Sequence, residues 1–314
     1  MATDARRRAP AARLEDAAGS GPGDRGPAVL VLQRALRRLG YYGARFALDG
    51  DYGPNTLGAV LACKHDVIAV HGLARRDLGY APVAGDERSL RASGRITRVF
   101  ARSLAALLAG EPLGGQAPWL VPTRSQVTDA GLDVRAFLAR EADGVPFPAQ
   151  LLWEVLAVES GASHFDALGY VKYGVDWRGR SYAQTVTFAP AAATEPWVRS
   201  RGWGLAQYTP ADQPALPRPM PAYITSVAAN VRAAIGVFRH KFQVLSKRHP
   251  CSHPSREAPD YDCRACLRGR EFDPATYSEA VQQPCSWLRA VWAYNGLSLA
   301  GRRYMERVAR NVMA

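Results

Sequence analysis

A chain of 314 residues, 47% hydrophobic and 22% charged, is long enough for two domains and has the composition of a protein with ordinary apolar cores. Its 40 lysines and arginines against 28 aspartates and glutamates give a formal charge of +12, a field that favours polyanions such as anionic cell-envelope polymers. No nucleic-acid-binding motif accompanies that charge and no window is long and apolar enough to span a membrane, so the expectation is no nucleic acid and no stable membrane insertion.

Residues 1–26 are dominated by Ala, Arg, Gly and Pro without periodicity and read as a flexible tail. They hold no apolar run of seven or more residues before a cleavage site, so a standard secretory signal is not expected. Val29, Leu32, Leu36 and Leu39 then share one helical face, with Gly40 at the stop position. Turns through Asp49 and Gly50 and at Gly53 precede Pro54, which opens a second helix carrying Leu57, Val60 and Leu61; a third is expected over 96–108. The Gly- and Pro-rich residues 111–125 read as a linker, and a second domain is expected over 126–314. Its helical patterns fall at 131–141, 148–160, 222–247 and 286–298, with another from Arg302. Strand patterns are scarce, so the fold class is mainly α; 164–201 and 248–285 read as long loops.

The segments "LQRALRRLGYYG" and "LDGDYGPNTLGAV" resemble the small three-helix peptidoglycan-binding domain found beside bacterial wall hydrolases. That resemblance covers 27–70 well and 71–110 less well, and implies a three-helix bundle over 27–110. Where the family usually continues with Phe-Gln, this chain has Cys63 and Lys64, which questions the local packing. Cys63 reads as a core residue. Cys251, Cys263, Cys266 and Cys285 crowd one polar stretch; two disulfides are one reading, zinc with His249 or His253 a second, unlinked thiols a third.

In "LLWEVLAVESGAS" the apolar stripe of Leu152, Val155 and Leu156 runs on to a carboxylate, Glu159. Burial and the negative end of the helix both oppose its ionisation, so the side chain can hold a proton for a leaving oxygen; an ion pair with an arginine is the alternative. "LLWEVLAVESG", "GWGLAQYTP" and "AVWAYNGL" stand in the order of three motifs of the lytic transglycosylase and goose-type lysozyme superfamily, and "YMERV" resembles its closing helix. The resemblance implies an α-rich, lysozyme-like domain with Glu159 as acid and then base, and Ser160, Gly204, Leu205, Gln207, Tyr208, Tyr294 and Asn295 at the substrate. It further implies that Tyr294 reaches the acid and Asn295 the substrate or the Gly-rich segment.

Beside that resemblance, Gly202 and Gly204 read either as a plain turn or as exposed amides for an N-acetyl group. Trp203, Tyr208 and Trp292 read as sugar platforms or, more commonly, core aromatics, and Ala206, where the family has Met, as a wider subsite. Asp166, Asp176 and Glu195 are candidate second carboxylates, none within a motif. The resulting expectation is an enzyme that cleaves the bond between N-acetylmuramic acid and N-acetylglucosamine in peptidoglycan, without cofactor. A hydrolytic muramidase, a chitinase-type hydrolase and a non-catalytic wall-binding protein are the alternatives. The expected place of action is the cell wall, reached through a holin, a virion or a secretion system.

Overall fold

Proline at the first helical turn and glycine just past the last set several helix ends in the N-terminal part of the chain. Helix α1 (Pro27–Arg38) and α2 (Pro54–His71) each begin on proline, and α2 stops at Gly72, whose φ of 70° is left-handed. Helix α3 (Arg98–Ala109) is capped by Thr97, which accepts from the Phe100 amide at 3.1 Å, and stops at Gly110. The computed structural model describes residues 14–83, 86–91, 93–116, 118–144, 147–178, 197–210, 219–246 and 286–314. Among these the chain is mainly α-helical. The cysteine-rich stretch, with Cys251, Cys263, Cys266 and Cys285, lies outside the described residues, as does Glu195.

The chain divides into two compact units: Met1–Val121 with Tyr173–Gly202 and Thr209–Arg218, and Pro122–Lys172 with Trp203–Tyr208 and Pro219–Ala314. The first break falls inside the expected linker. Tyr173–Gly202, in contrast, belongs to the first unit, where the sequence reading runs the second domain unbroken from 126 to 314. The reason is a set of bonds to the turn after α1. The Tyr173 hydroxyl lies 2.9 Å from the carbonyl oxygens of both Arg37 and Tyr42, the Ala44 amide donates to the Tyr173 carbonyl at 2.8 Å, and Arg201 Nε donates to the Gly40 carbonyl at 2.9 Å. These contacts belong to β3 (Tyr173–Arg178) and β4 (Trp197–Trp203), which form a two-stranded sheet.

In the first unit Leu32, Leu36, Val60, Leu61, Phe100 and Leu104 are buried. Gln33, also buried, organises the Asp49–Asp51 turn: its amide nitrogen donates to Asp49 Oδ1, the Asp51 carbonyl and Thr56 Oγ1, while its oxygen accepts from the Gly50 amide at 2.9 Å. The Leu-Gln and Asp-Gly motif residues are therefore spent on one internal turn. Lys64, far from disturbing the packing, is fully buried; its Nζ donates to the carbonyls of Leu78, Ser93 and Arg95, each at 2.7 Å. Those acceptors lie on either side of the hairpin β1 (Ala81–Val83) and β2 (Asp86–Arg91). Cys63 is a buried thiol whose proton affinity is raised by burial.

Residues 14–26 correct the flexible-tail expectation. Leu14 and Ala17, three apart on one helical turn, are buried, and Gly19 and Ser20 exchange backbone bonds with Ile96 at 2.8 Å.

The second unit holds α4 (Val134–Gly144), α5 (Ala149–Ser160), α6 (Ala222–Thr225), α7 (Val227–Ser246), α8 (Ser286–Tyr294) and α9 (Leu299–Met313). Leu151, Leu152, Val155 and Leu156 of α5 share one core with Val231, Ile235 and Phe238 of α7, Val291 of α8, and Met305, Val308 and Val312 of α9. The single helix expected over 222–247 is interrupted at Ser226, whose backbone is extended. Asp129 takes the freed donors there, accepting from Ser226 Oγ at 3.1 Å and from the amides of Val227 and Ala228 at 2.8 and 2.9 Å.

Candidate functional site

Glu159 sits one position before the end of α5. At 100° per residue its side chain falls on the same side of the helix as the buried Leu152, Val155 and Leu156. That side packs against α9, and Tyr304 of α9 and Asn295, just beyond α8, stand within hydrogen-bonding reach of the Glu159 carboxyl, with the Tyr304 hydroxyl also 3.5 Å from the Val155 carbonyl. Burial raises its proton affinity above the ordinary carboxylate range, and the two hydrogen bonds oppose that rise without cancelling it. Among the described residues Glu159 makes no ion pair with an arginine.

The roles of the tyrosines and of Asn295 differ from those the resemblance implies. Tyr304 and Asn295 are the hydrogen-bonding groups beside the acid that favour its charged form, whereas Tyr294 acts on it through charge alone. Tyr294 donates instead to the Ala206 carbonyl at 2.9 Å, and its proton affinity is raised by burial, by Glu159 and by Tyr208. Tyr294 therefore ties the Gly-Leu-Ala-Gln turn to the neighbourhood of the acid. Tyr304 was legible as part of the α9 stripe, since Met305, Val308, Ala309 and Val312 are buried and Tyr304 lies four residues before Val308.

The turn itself corrects the expectation of an exposed amide at Gly204. The Gly204 amide donates to the Lys172 carbonyl at 2.7 Å, Leu205 to His164 Nδ1 at 3.2 Å, Ala206 to Asn230 Oδ1 at 2.9 Å and Gln207 to the Gly204 carbonyl at 3.2 Å. Trp203 and Tyr208 bond each other's backbone. Every amide from 203 to 208 is engaged inside the unit, so none is left to bind an acetamido group. Gly204 has φ +67°, and a Cβ there would stand 2.4 Å from His164 Cε1. Its glycine serves close packing. Leu205 and Ala206 are core residues, at 1% and 0% exposure, so neither side chain is presented to a ligand in this structure.

Ser160 is also structural: its Oγ donates to the Leu156 carbonyl at 3.0 Å, and its own carbonyl accepts from Lys172 Nζ. Trp203 is buried, and Trp292 donates from Nε1 to the Ser298 carbonyl at 2.9 Å, bracing the loop that carries Asn295. Tyr208 and Gln207 remain half-buried beside this cluster. The Tyr208 ring meets Tyr223 edge-on at 5.0 Å, and Gln207 Nε2 donates to the Gly204 carbonyl at 2.8 Å. Of the candidate second carboxylates, Asp166 closes a local turn by accepting from the amides of Leu168 and Tyr170 at 2.9 and 3.0 Å. Asp176 belongs to β3 of the other unit.

His164 and Asn230 are the site-building residues that the sequence reading missed. Asn230 carried a signal of the same kind as Glu159, a polar group on the apolar stripe of α7 between Val227 and Ala234. A groove of about 310 Å³, lined by Arg135, Leu138, Ala149, Gln150, Trp153 and Glu154, does not include Glu159; helical spacing puts Gln150, Trp153 and Glu154 on the other side of α5.

Comparison with protein families, curated proteins and solved structures finds no match. Among the described residues no group of three or more His, Cys, Asp or Glu side chains is placed to hold a metal ion. What remains is a protonatable carboxyl, two hydrogen-bond donors on it, and a pinned turn tied to the same cluster. Such a group can deliver a proton to a leaving oxygen and take one back.

Proposed function

We propose that the protein cleaves the β-1,4 bond between N-acetylmuramic acid and N-acetylglucosamine in peptidoglycan, as a lytic transglycosylase with Glu159 as its acid and base. The N-terminal unit, read as a three-helix peptidoglycan-binding domain, would hold the wall, and the second, read as lysozyme-like, would cut it. The observation that carries the proposal is the half-buried Glu159 carboxyl beside Tyr304 and Asn295, its proton held more tightly than usual.

In the proposed reaction Glu159 gives its proton to the glycosidic oxygen as the bond from the muramoyl C1 breaks. The resulting carboxylate is stabilised by the Tyr304 and Asn295 donors. The muramoyl 6-hydroxyl then bonds to C1 and returns its proton to Glu159, so no water is consumed and the product is a 1,6-anhydro sugar. The single-acid route is favoured because no other carboxylate contributes to the Glu159 environment among the described residues.

The test is digestion of purified sacculi by the wild type and by Glu159→Gln, with products weighed by mass spectrometry. Muropeptides one water lighter than hydrolytic products, absent with the variant, are expected. Products of full hydrolytic mass would make the enzyme a muramidase, and undiminished release by the variant would remove Glu159 from the chemistry.

A further inference from the structure

We propose that His164 and Asn230 are positioning residues: by gripping the 204–207 turn through its backbone amides, they set where the Ala206 carbonyl receives the Tyr294 hydroxyl beside Glu159. The proposal rests on the enzymatic reading above and assigns that site two residues which touch neither the acid nor substrate.

The grip is specific in its chemistry. Asn230 Oδ1 accepts from the Ala206 amide at 2.9 Å, while its Nδ2 donates to the carbonyls of Trp203 and Tyr223, both at 2.9 Å. The amide thus reads the backbone on both sides of Gly204. His164 Nδ1 accepts from Leu205, which can only donate, so the ring is neutral with its proton on Nε2, 3.4 Å from the Ile224 carbonyl. Burial pushes the His164 pKa down to about 4, with Asp129 the charged group acting against that shift, so this form persists at neutral pH.

The grip is also tight in space. His164 and Asn230 are 4% and 0% exposed, and a Cβ on Gly204 would approach His164 Cε1 to 2.4 Å and Asn230 Nδ2 to 2.7 Å. Polar groups this deeply buried stay satisfied in one arrangement of the turn only, since any displacement strands them without partners. The peptide on the amide side of Ala206 is therefore fixed by Asn230. Its carbonyl side is where Tyr294 donates at 2.9 Å, and Tyr294 lies close enough to Glu159 to respond to its charge. Misplacing the turn moves Tyr294, and with it the packing around the acid.

The experiment uses the full chain and two readouts. On glycan strands isolated from sacculi, His164→Ala and Asn230→Ala should lower kcat by about 10- to 100-fold with KM within about threefold, as expected of misplaced machinery. His164→Asn, whose Oδ1 can take the place of Nδ1 as acceptor, should recover kcat to within about fivefold of wild type. Asn230→Ala combined with Tyr294→Phe should lose no more than the worse single variant, because both act through Ala206. The second readout, amide exchange by NMR, is independent of activity: Leu205 should exchange at least about tenfold faster in His164→Ala and stay protected in His164→Asn. Full kcat in a folded His164→Ala, failure of His164→Asn to rescue, or additive losses in the double variant would each overturn the proposal. So would unchanged Leu205 protection in an active enzyme, which leaves the enzymatic reading standing. Lost Leu205 protection in His164→Ala, together with a wild type that releases nothing from sacculi, would instead keep the grip and remove the enzymatic reading.

Discussion

A carboxyl that binds its proton more tightly in the folded chain than in the unfolded one links stability to pH in a definite direction. Glu159 is such a group, its affinity raised by burial above an ordinary value of 4.5. Its contribution is fully present below that ordinary value and is lost as pH rises through the raised folded value, beyond which a buried carboxylate carries the desolvation cost. Glutamine has no charge to desolvate. The melting temperature of Glu159→Gln relative to wild type should therefore climb as pH is raised from 4 to 8, and a constant difference over that range would show that the carboxyl is not held protonated by burial. Tyr304→Phe acts oppositely on the same group. It deletes a donor that favours the charged form, so the alkaline limb of the pH–activity profile should move to higher pH. If Glu159 acts as the proposed acid, the carboxylate formed as the bond breaks also loses that donor, and kcat should fall about tenfold, the equivalent of one hydrogen bond to a charged group. An unshifted limb would mean that Tyr304 merely packs.

Helices α1, α2 and α3 could be read from the chain because their ends are marked by local residues: Pro27, Pro54, Gly72, Thr97 and Gly110. The break between α6 and α7 could not, because the group that stabilises it, Asp129, lies 97 residues from Ser226. The candidate site divides in the same way. Glu159 stands out by period alone, whereas the choice of Tyr304 over Tyr294 as its donor depends on how α9 packs on α5. The turn at 204–207 looked open in sequence because its partners, His164 and Asn230, are 41 and 24 residues away. Lys64 belongs to this class too: a charged residue in an apolar helix signals a conflict until its three distant acceptors are known. Lys64→Met keeps the volume and removes the donor from three carbonyls. It should cost about 3 kcal/mol or more in urea denaturation, since each stranded acceptor carries its own penalty. A loss below about 0.5 kcal/mol, the range of ordinary surface substitutions, would show that water replaces the ammonium there.

At the scale of the whole chain the net charge of +12 acts where no single contact does. Among the described residues Arg303, Arg307 and Arg310 are exposed along one side of α9, the helix that brings Tyr304 to Glu159, and none of the three makes an ion pair. Arg75, Arg76 and Arg98 are exposed in the first unit. If the partner is an anionic wall, these charges hold the protein near its substrate through a field that salt screens over about 10 Å at 0.1 M. Two units on one chain add a second effect: once one is bound, the other searches at an effective concentration set by the tether, and this is insensitive to salt. The two effects separate in a binding curve. Association with isolated sacculi should weaken by about tenfold or more between 20 mM and 0.5 M salt if charge dominates. Replacing Arg303, Arg307 and Arg310 together by glutamine should flatten that dependence while leaving the high-salt affinity unchanged. A wild-type affinity indifferent to ionic strength would assign wall retention to uncharged contacts, and the basic surface would then have no part in bringing Glu159 to a glycan strand.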